Sequence, residues 1–263
     1  MLLLIDSGNT RIKWALVEPN LPRQTSSLPQ QIAAPPPDWL ASGVALQTER
    51  ESLAATWSAL SVTRAIISNV AGNEVRRHLS QNVQTACALA SEQIEWFSSV
   101  ARAGGVRNGY REPSRLGCDR FASLIGARAL FPGERLIVAT CGTATTIDAL
   151  EADGYFLGGL ILPGPVLMAQ SLAQQTAQLP QIDAAFIAPP LFADDTEAAI
   201  RSGCLIAQSG AIRQALAAHA GARCILSGGA ARFIAPLLER PHHVVDNLVL
   251  RGLQASPRTA DPC

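Results

Sequence analysis

The chain is predicted to fold as two α/β lobes around a central cleft, and three observations carry that expectation. An apolar run ending in an aspartate-led turn opens the chain. A segment of the same design opens its second half, and helical periodicity follows the strands in each half.

The first element is Leu2-Leu3-Leu4-Ile5, which delivers Asp6-Ser7-Gly8-Asn9-Thr10-Arg11 into a second run, Ile12-Lys13-Trp14-Ala15-Leu16-Val17. This reads as a β-hairpin in which Gly8 permits a backbone conformation closed to other residues, and Asn9 and Thr10 set short polar groups beside exposed amides. Asp6 stands at the end of a buried strand. Such a turn can hold a phosphate and a metal, although Asp-x-Gly alone is also ordinary turn chemistry. Its counterpart is Leu136 to Leu150: with Gly142 laid on Gly8, Ala149-Leu150 fall on Ala15-Leu16, so strand, turn and return strand are expected to match in length.

Between the two hairpins, Pro19 to Asp38, with Pro35-Pro36-Pro37 at its end, reads as loop or irregular edge structure. Ser52 to Leu60 is predicted helical, and Ala65 to Val70 is a short β-rich run. Asn73 is expected to cap a helix carrying Val75, Leu79, Val83 and Cys87 at four-residue spacing. Ile94 to Phe97 is a further strand, followed by the glycine-rich Gly104 to Tyr110. Helical periodicity returns after Pro113 through Leu116, Arg120, Leu124 and Arg128 until Phe131-Pro132-Gly133 stops it. After the second hairpin come a strand over Tyr155 to Leu162, a helix over Val166 to Ala177, and a long helix from Thr196 to about His219. A strand over Arg223 to Leu226 then runs into Ser227-Gly228-Gly229-Ala230 with a helix behind it. This order suits two ribonuclease-H-like lobes, divided as residues 1–112 and 113–263. A single doubly wound sheet is the rival. Against it, no Gly-x-Gly-x-x-Gly follows the first strand, and no Gly-x-x-x-x-Gly-Lys-Ser/Thr occurs.

Bulk properties narrow the function classes. Lys plus Arg and Asp plus Glu balance at 21 each in 263 residues, so no net field favours nucleic acid or an anionic membrane. The N-terminal apolar run is too short for a membrane span and meets Asp6 without a basic leader, which argues against a signal peptide and predicts a cytoplasmic protein. The six cysteines show no Cys-x-x-Cys pair and read as free thiols in a reducing compartment, with Cys118 and Cys141 as small buried filler. His242 and His243, being adjacent, should point to opposite faces of a strand, which disfavours a shared metal.

Phosphoryl transfer needs a cradle for nucleotide phosphates, a cation, and a group that orients the attacking hydroxyl. Asp6 suits Mg²⁺ held jointly by carboxylate and phosphates. Gly8 to Arg11 and Gly142-Thr143 supply amides and hydroxyls for phosphate oxygens. Lys13 either adds positive charge there or is a solvated strand residue opposite Trp14. Ser227-Gly228-Gly229 either receives the adenosine end of a nucleotide or makes a tight connection. Gly117-Cys118-Asp119-Arg120, on the first turn of a helix, is a catalytic segment or a surface ion pair; composition leaves both open.

The order and spacing of these motifs resemble the type III pantothenate kinase family, which includes the Bvg accessory factors. The matching pattern is Asp6 to Lys13, Tyr110, Pro113, Leu116 to Arg120, Gly142 to Thr146 with Asp148, Gly158-Gly159-x-Ile161-x-Pro163-Gly164, Thr196 to Gly203, and Ser227-Gly228-Gly229. The resemblance implies an acetate and sugar kinase, Hsp70 and actin type fold, a homodimer, and phosphorylation of pantothenate by ATP to 4′-phosphopantothenate, the first step toward coenzyme A. It implies that Asp6, Ser7, Gly8, Asn9, Thr10, Arg11, Ile12 and Lys13 bind ATP phosphates and Mg²⁺, with Thr143 as second phosphate contact. Asp119 would be the general base, and Tyr110, Gly117, Cys118, Asp119, Arg120 and Thr196 would line the pantothenate site. Thr196 would reach it from a dimer partner or the neighbouring lobe. Arg120 suits the substrate carboxylate because its planar fork can bind both oxygens.

One position departs from the pattern. Many members carry aspartate where this chain has Thr140, and that carboxylate serves a monovalent cation, K⁺ or NH₄⁺; threonine offers only a neutral oxygen, which puts that site in doubt. Two other readings are a regulatory protein that keeps the kinase fold, and another ribonuclease-H-like small-molecule kinase. The intact set Asp6, Asp119, Arg120 and Thr143 favours an active enzyme over the first.

Overall fold

The structure, a computed structural model, describes residues 1–18, 38–176, 179–180, 190–239 and 241–256. All but Asp38 of the expected loop over Pro19 to Asp38, the last residue of the expected helix at Ala177, and Cys263 lie outside the described residues.

The first half runs β1 (Leu2–Ser7), β2 (Arg11–Val17), β3 (Ala41–Leu46), α1 (Ser52–Ser58), β4 (Arg64–Asn69), α2 (Asn73–Cys87) and β5 (Ile94–Trp96). A short hairpin follows, β6 (Arg102–Ala103) and β7 (Val106–Asn108), and then α3 (Cys118–Leu130). The second half continues with β8 (Leu136–Cys141), β9 (Ala144–Leu150), β10 (Tyr155–Pro163), α4 (Pro165–Gln175), α5 (Thr196–Ala218), β11 (Arg223–Ser227), α6 (Ala231–Ile234), β12 (His242–Val244) and α7 (Leu248–Ala255).

The first sheet has the order β3-β2-β1-β4-β5, antiparallel through β3, β2 and β1 and parallel through β1, β4 and β5. The second repeats that plan as β10-β9-β8-β11-β12, again antiparallel then parallel. The duplication read from two turns therefore extends to whole sheets. It is not symmetrical in detail: Ser7 pairs with Ile12 whereas Cys141 pairs with Thr145, so the second turn is one residue shorter than the first. The hairpin β6-β7, into which the glycine-rich segment falls, extends the second sheet beyond β10. Strand material before residue 112 thus joins the second sheet, while α7 returns to pack on β1, β2 and β4 of the first.

Both faces of the central strands of each sheet are covered, and side-chain alternation distributes those strands between separate cores. Leu3 and Ile5 face α1 and α2, while Leu4 between them faces α3 and α7. In β8, Leu136 and Val138 face the same α3/α7 layer, and Ile137 and Ala139 face α5. Burial on both faces explains why β1 is a continuous apolar run instead of an alternating one. Each such side chain contributes roughly 1.5–3 kcal/mol on full burial, so both faces hold the strand in register. The layer between the sheets consists of α3 and α7, and α3 is buried from Arg120 to Ala127 as a helix walled on every side must be.

One smaller expectation is corrected. Asn73 is the first residue of α2, and the cap is Gly72, at φ 92°. Asn69 instead organises that turn, accepting from the Ala71 amide at 3.1 Å and donating to the Gly72 carbonyl at 3.0 Å. The helix behind Gly228-Gly229 is only the four-residue α6.

The α3–α7 contact is made through glycines. A Cβ on Gly252 would penetrate the Ala122 carbonyl, and one on Gly126 would stand 2.6 Å from the Leu248 carbonyl oxygen. Backbone-to-backbone approach at this seam leaves no volume for a methyl. Gly252→Ala is expected to cost about 1–3 kcal/mol through overpacking, visible as a lower denaturation midpoint with an unchanged slope.

Candidate active site

The hairpin tips converge. Thr10, in the first turn, and Thr143, in the second, lie 133 positions apart in sequence, and their hydroxyls are 2.9 Å apart. Each turn is closed by its glycine amide, Gly8 donating to the Arg11 carbonyl and Gly142 to the Ala144 carbonyl, both at 3.0 Å. Around the second turn the backbone is crowded: Gly164 donates to the Thr143 carbonyl at 2.9 Å, and Ala230 donates to the Cys141 carbonyl at 3.0 Å. A side chain on Gly228, at φ 92°, would run into the Cys141 backbone. Its neighbour Gly229 faces the Arg11 guanidinium. Both tips and the Ser227-Gly228-Gly229 loop therefore meet at the carboxyl ends of β1, β8 and β11, where crevices form in open α/β sheets.

Within the first turn, the Ser7 side chain is buried and accepts from Gln47 Nε2 at 3.1 Å, and the same nitrogen donates to the Gly8 carbonyl at 2.7 Å. Gln47 is a brace that no sequence motif announced. Ile12 is fully buried against the outer helices, so only its backbone is left to face a ligand, whereas Asn9, Thr10 and Arg11 are exposed. Lys13 pairs in register with Asp6, on the face of β2 that also carries Ala15. That places its charge beside the aspartate.

Asp6 and Asp119 form an acidic pair. Protein atoms crowding Asp6 push its pKa up from 3.8 to about 7, with the Lys13 charge opposing and the Asp119 charge adding to the rise. Asp119 is likewise raised, by burial first, against the Arg120 amide and guanidinium, which lower it. Gly117 is the N-cap of α3, and a Cβ there would press on Asp119 Oδ1 at 2.7 Å, so glycine leaves that carboxylate room. Asp119 Oδ1 accepts from the Arg120 amide at 2.8 Å. Cys118 turns away, its Sγ 3.3 Å from Ser68 Oγ and 3.6 Å from the Asn69 carbonyl, and burial raises its pKa. It ties the start of α3 to the end of β4. Cys141 is fully buried and pushed up to about 12, inert filler as expected.

Arg120 corrects an expectation. It is 6% exposed, and its Nε and Nη2 both donate to Asp148, which is 1% exposed. Nη1 donates to the Tyr110 hydroxyl at 2.8 Å. The side-on edge of the fork is therefore taken by Asp148 and is not open to both oxygens of a substrate carboxylate. Nor is this a surface ion pair with Asp119. Gly159 makes the arrangement possible, because a Cβ there would collide with Asp148 Oδ1 and lie 2.8 Å from Arg120 Nη2. Asp148 and the Gly158-Gly159 pair were part of the sequence pattern, but nothing in it assigned them a task.

Two predicted residues stand apart from this cluster. Thr196 is exposed at the first position of α5 and, among the described residues, has no hydrogen bond to Tyr110, Asp119 or Arg120. Thr140 lies on the α3/α7 side of β8, opposite Thr146 of β9 and Ser227 of β11. Asp148, on the same face of β9, has both oxygens engaged by Arg120.

The donor set fits a divalent cation that arrives with a nucleotide. Asp6 presents one carboxylate that burial and Asp119 hold near neutrality, and a cation would relieve that penalty. Among the described residues no group of three or more His, Cys, Asp or Glu side chains forms a cage of its own. Phosphate oxygens would complete the coordination, the usual arrangement for Mg²⁺.

Comparison with known proteins agrees with this architecture. The sequence model of the type III pantothenate kinase family matches residues 2–218. A protein of Herminiimonas arsenicoxydans named type III pantothenate kinase is 52% identical over 259 residues, covering 96% of each chain. Among solved structures, a Campylobacter jejuni protein described as a conserved Baf family transcriptional activator superposes with TM-score 0.57 at 18% identity, over 96% of this chain and 95% of that one. A Sinorhizobium meliloti protein described as a 2-dehydro-3-deoxygalactonokinase gives TM-score 0.52 at 16% identity over the full length of both. These two likenesses concern the fold: two lobes of the kind shared by sugar kinases and actin.

The Asp6 shift has a measurable sign. At pH values below 3.8 the group is protonated in folded and unfolded chains alike, so it contributes nothing to stability. Between there and about 7 the folded protein keeps a proton that the unfolded chain releases, so stability is lost as pH rises, and the loss is complete above about 7. Without nucleotide, Asp6→Asn is expected to melt above the wild type at about pH 8 and to converge with it toward about pH 4, as read by thermal melts across that range.

Proposed function

Because the chain belongs to the type III pantothenate kinase family, a family of phosphotransferases, we propose that it transfers the γ-phosphoryl group of ATP to the primary hydroxyl of pantothenate, giving ADP and 4′-phosphopantothenate in the first step of coenzyme A biosynthesis. The observation that carries the reading is the 2.9 Å meeting of Thr10 and Thr143 beside the Asp6–Asp119 pair. The two glycine turns lie with the Asp6 and Asp119 carboxylates, which supports reading the turns as phosphate-binding, Asp6 as cation-binding and Asp119 as the base. Residues 1–112 supply the first turn and Tyr110; residues 113–263 supply the second turn, the base and the rest of the acceptor site.

In this reading the amides and hydroxyls of Gly8 to Arg11, with Thr143, cradle the β- and γ-phosphates, and Lys13 adds positive charge. Asp6 would hold Mg²⁺ together with the nucleotide, and the cation would offset the negative charge of the phosphate oxygens. Asp119 orients the acceptor hydroxyl and takes its proton late, as the oxygen–phosphorus bond forms and ADP leaves. Its raised pKa makes it a better proton acceptor than an exposed carboxylate. Tyr110, Gly117 and Arg120 line the acceptor site.

A homodimer completes the site, with Thr196 contributed across the interface. Supporting this, large apolar side chains stand exposed on adjoining elements: Leu160 and Ile161 on β10, Leu167 and Leu172 on α4, and Leu191 and Phe192 before α5. A cytoplasmic site of action accords with the five described cysteines, all free thiols. No helix among the described residues is long and apolar enough to cross a membrane.

Asp119→Asn is expected to lower kcat by roughly 10²- to 10⁴-fold with little change in ATP affinity. Direct measurement of pantothenate phosphorylation by the purified protein tests both the reaction and this role; wild-type turnover in the variant removes Asp119 from the mechanism. Threonine at position 140, beside an Asp148 already engaged, leaves no free carboxylate for a monovalent cation there. Activity is accordingly expected to change little when KCl replaces an inert salt at constant ionic strength, and strong activation contradicts that reading.

A further inference from the structure

Asp148 has no part in the chemistry described above, yet it sits at the wall of the site. It is 1% exposed, bidentate on Arg120, and accommodated only because residue 159 lacks a side chain. A buried pair of this kind adds little net stability, since the cost of desolvating both charges offsets their attraction. Its consequence lies in where it holds the guanidinium.

That guanidinium is fixed on several sides. Nε and Nη2 are spent on Asp148, and Nη1 donates to Tyr110 Oη at 2.8 Å. The Arg120 guanidinium also lies 5.6 Å from the centre of the Tyr110 ring and 6.0 Å from that of Phe156. Tyr110 is clamped in turn. Its ring stacks on Phe156 at 5.6 Å and 24°, and its amide donates to Asn108 Oδ1 at 3.1 Å. Asn108 is anchored by donating to the Val100 and Pro113 carbonyls. A guanidinium carries donors only, so the tyrosine oxygen must be the acceptor in the Arg120 contact. The hydroxyl proton then has to point elsewhere, and among the described residues it meets no acceptor.

Resting on the pantothenate reading of this site, we propose that Asp148 is a positioning residue for the acceptor: it locks Arg120 against Tyr110 so that the tyrosine hydroxyl is presented, proton outward, as a hydrogen-bond donor to the polar end of pantothenate. Arg120 acts on the substrate through Tyr110, with its fork held by Asp148. The donor is also strengthened, because an oxygen that accepts from a cation releases its own proton into a hydrogen bond more readily.

A double-mutant cycle on the full-length enzyme tests this, using Asp148→Asn, Tyr110→Phe and the pair, with thermal melts to check folding. Each single change is expected to raise KM for pantothenate about tenfold, the equivalent of one lost hydrogen bond, while KM for ATP stays at the wild-type value. The pair should be no worse than Tyr110→Phe alone, because Asp148 then has nothing left to orient. Independent, multiplying effects overturn the proposal, as does a loss in kcat and ATP affinity with pantothenate KM unchanged. If Asp148→Asn does not fold, Arg120→Lys takes its place in the same cycle, keeping the charge and removing the fork. Wild-type enzyme that fails to phosphorylate pantothenate defeats the functional reading itself; wild-type turnover with an additive cycle defeats only the role of Asp148.

Discussion

Two helices share the wall between two sheets, and how closely they approach sets how near the sheets' working edges come. At Gly126 and Gly252 the backbones of α3 and α7 touch without side chains between them. α7 lies against β1, β2 and β4, and α3 reaches both sheets, touching β4 of the first and β8 and β9 of the second. A thicker layer would carry β1 and β8 apart, and with them Thr10 and Thr143, whose 2.9 Å contact requires the two turns to overhang the same end of that layer. The meeting of the two turns is thus a product of helix packing as much as of turn chemistry.

The same layer concentrates charge. Asp6 projects from the first sheet, Asp119 from the start of α3, and Asp148 from the second sheet, with Arg120 and Lys13 among them. Three acidic groups stand against two basic ones; burial raises Asp6, Asp119 and Asp148 alike, and the Asp119 charge adds to the rise at Asp6 and Asp148. An arrangement of that kind is unfavourable by itself and favourable once a cation and its phosphates arrive. Within it the carboxylates differ in their partners: Asp148 is paired with both Nε and Nη2 of Arg120, while Asp6 and Asp119 have no such bidentate partner among the described residues. The difference depends on which of them Arg120 reaches, and Gly159 decides that by opening space over Asp148.

Much of this was legible in the chain. Local chemistry declared the hairpins at Asp6 to Arg11 and Cys141 to Ala144, the apolar runs around them, and the helix beginning after Gly117, since turns, strand periodicity and helix starts are written over a few neighbouring residues. The glycine-rich segment was harder. Strands as short as β6 and β7 carry no periodicity, and they exist because β10 offers an edge to pair with. Likewise α7, an eight-residue helix near the end of the described chain, owes its place to Gly126 on a helix more than a hundred positions earlier.

By itself, the sequence determined the repeated hairpin plan, the residue types of a phosphate-handling site and, through the combined motifs, the family. Tertiary structure alone decided which groups meet. It brought Thr10 to Thr143, put Gln47 under the first turn, and turned Arg120 away from Asp119 onto Asp148 and Tyr110. Spacing along a chain encodes what a residue can form with near neighbours. The partner of a buried charge is chosen by the shape of the space around it, and here that space is bounded by a glycine on a strand remote from Arg120 in the sequence.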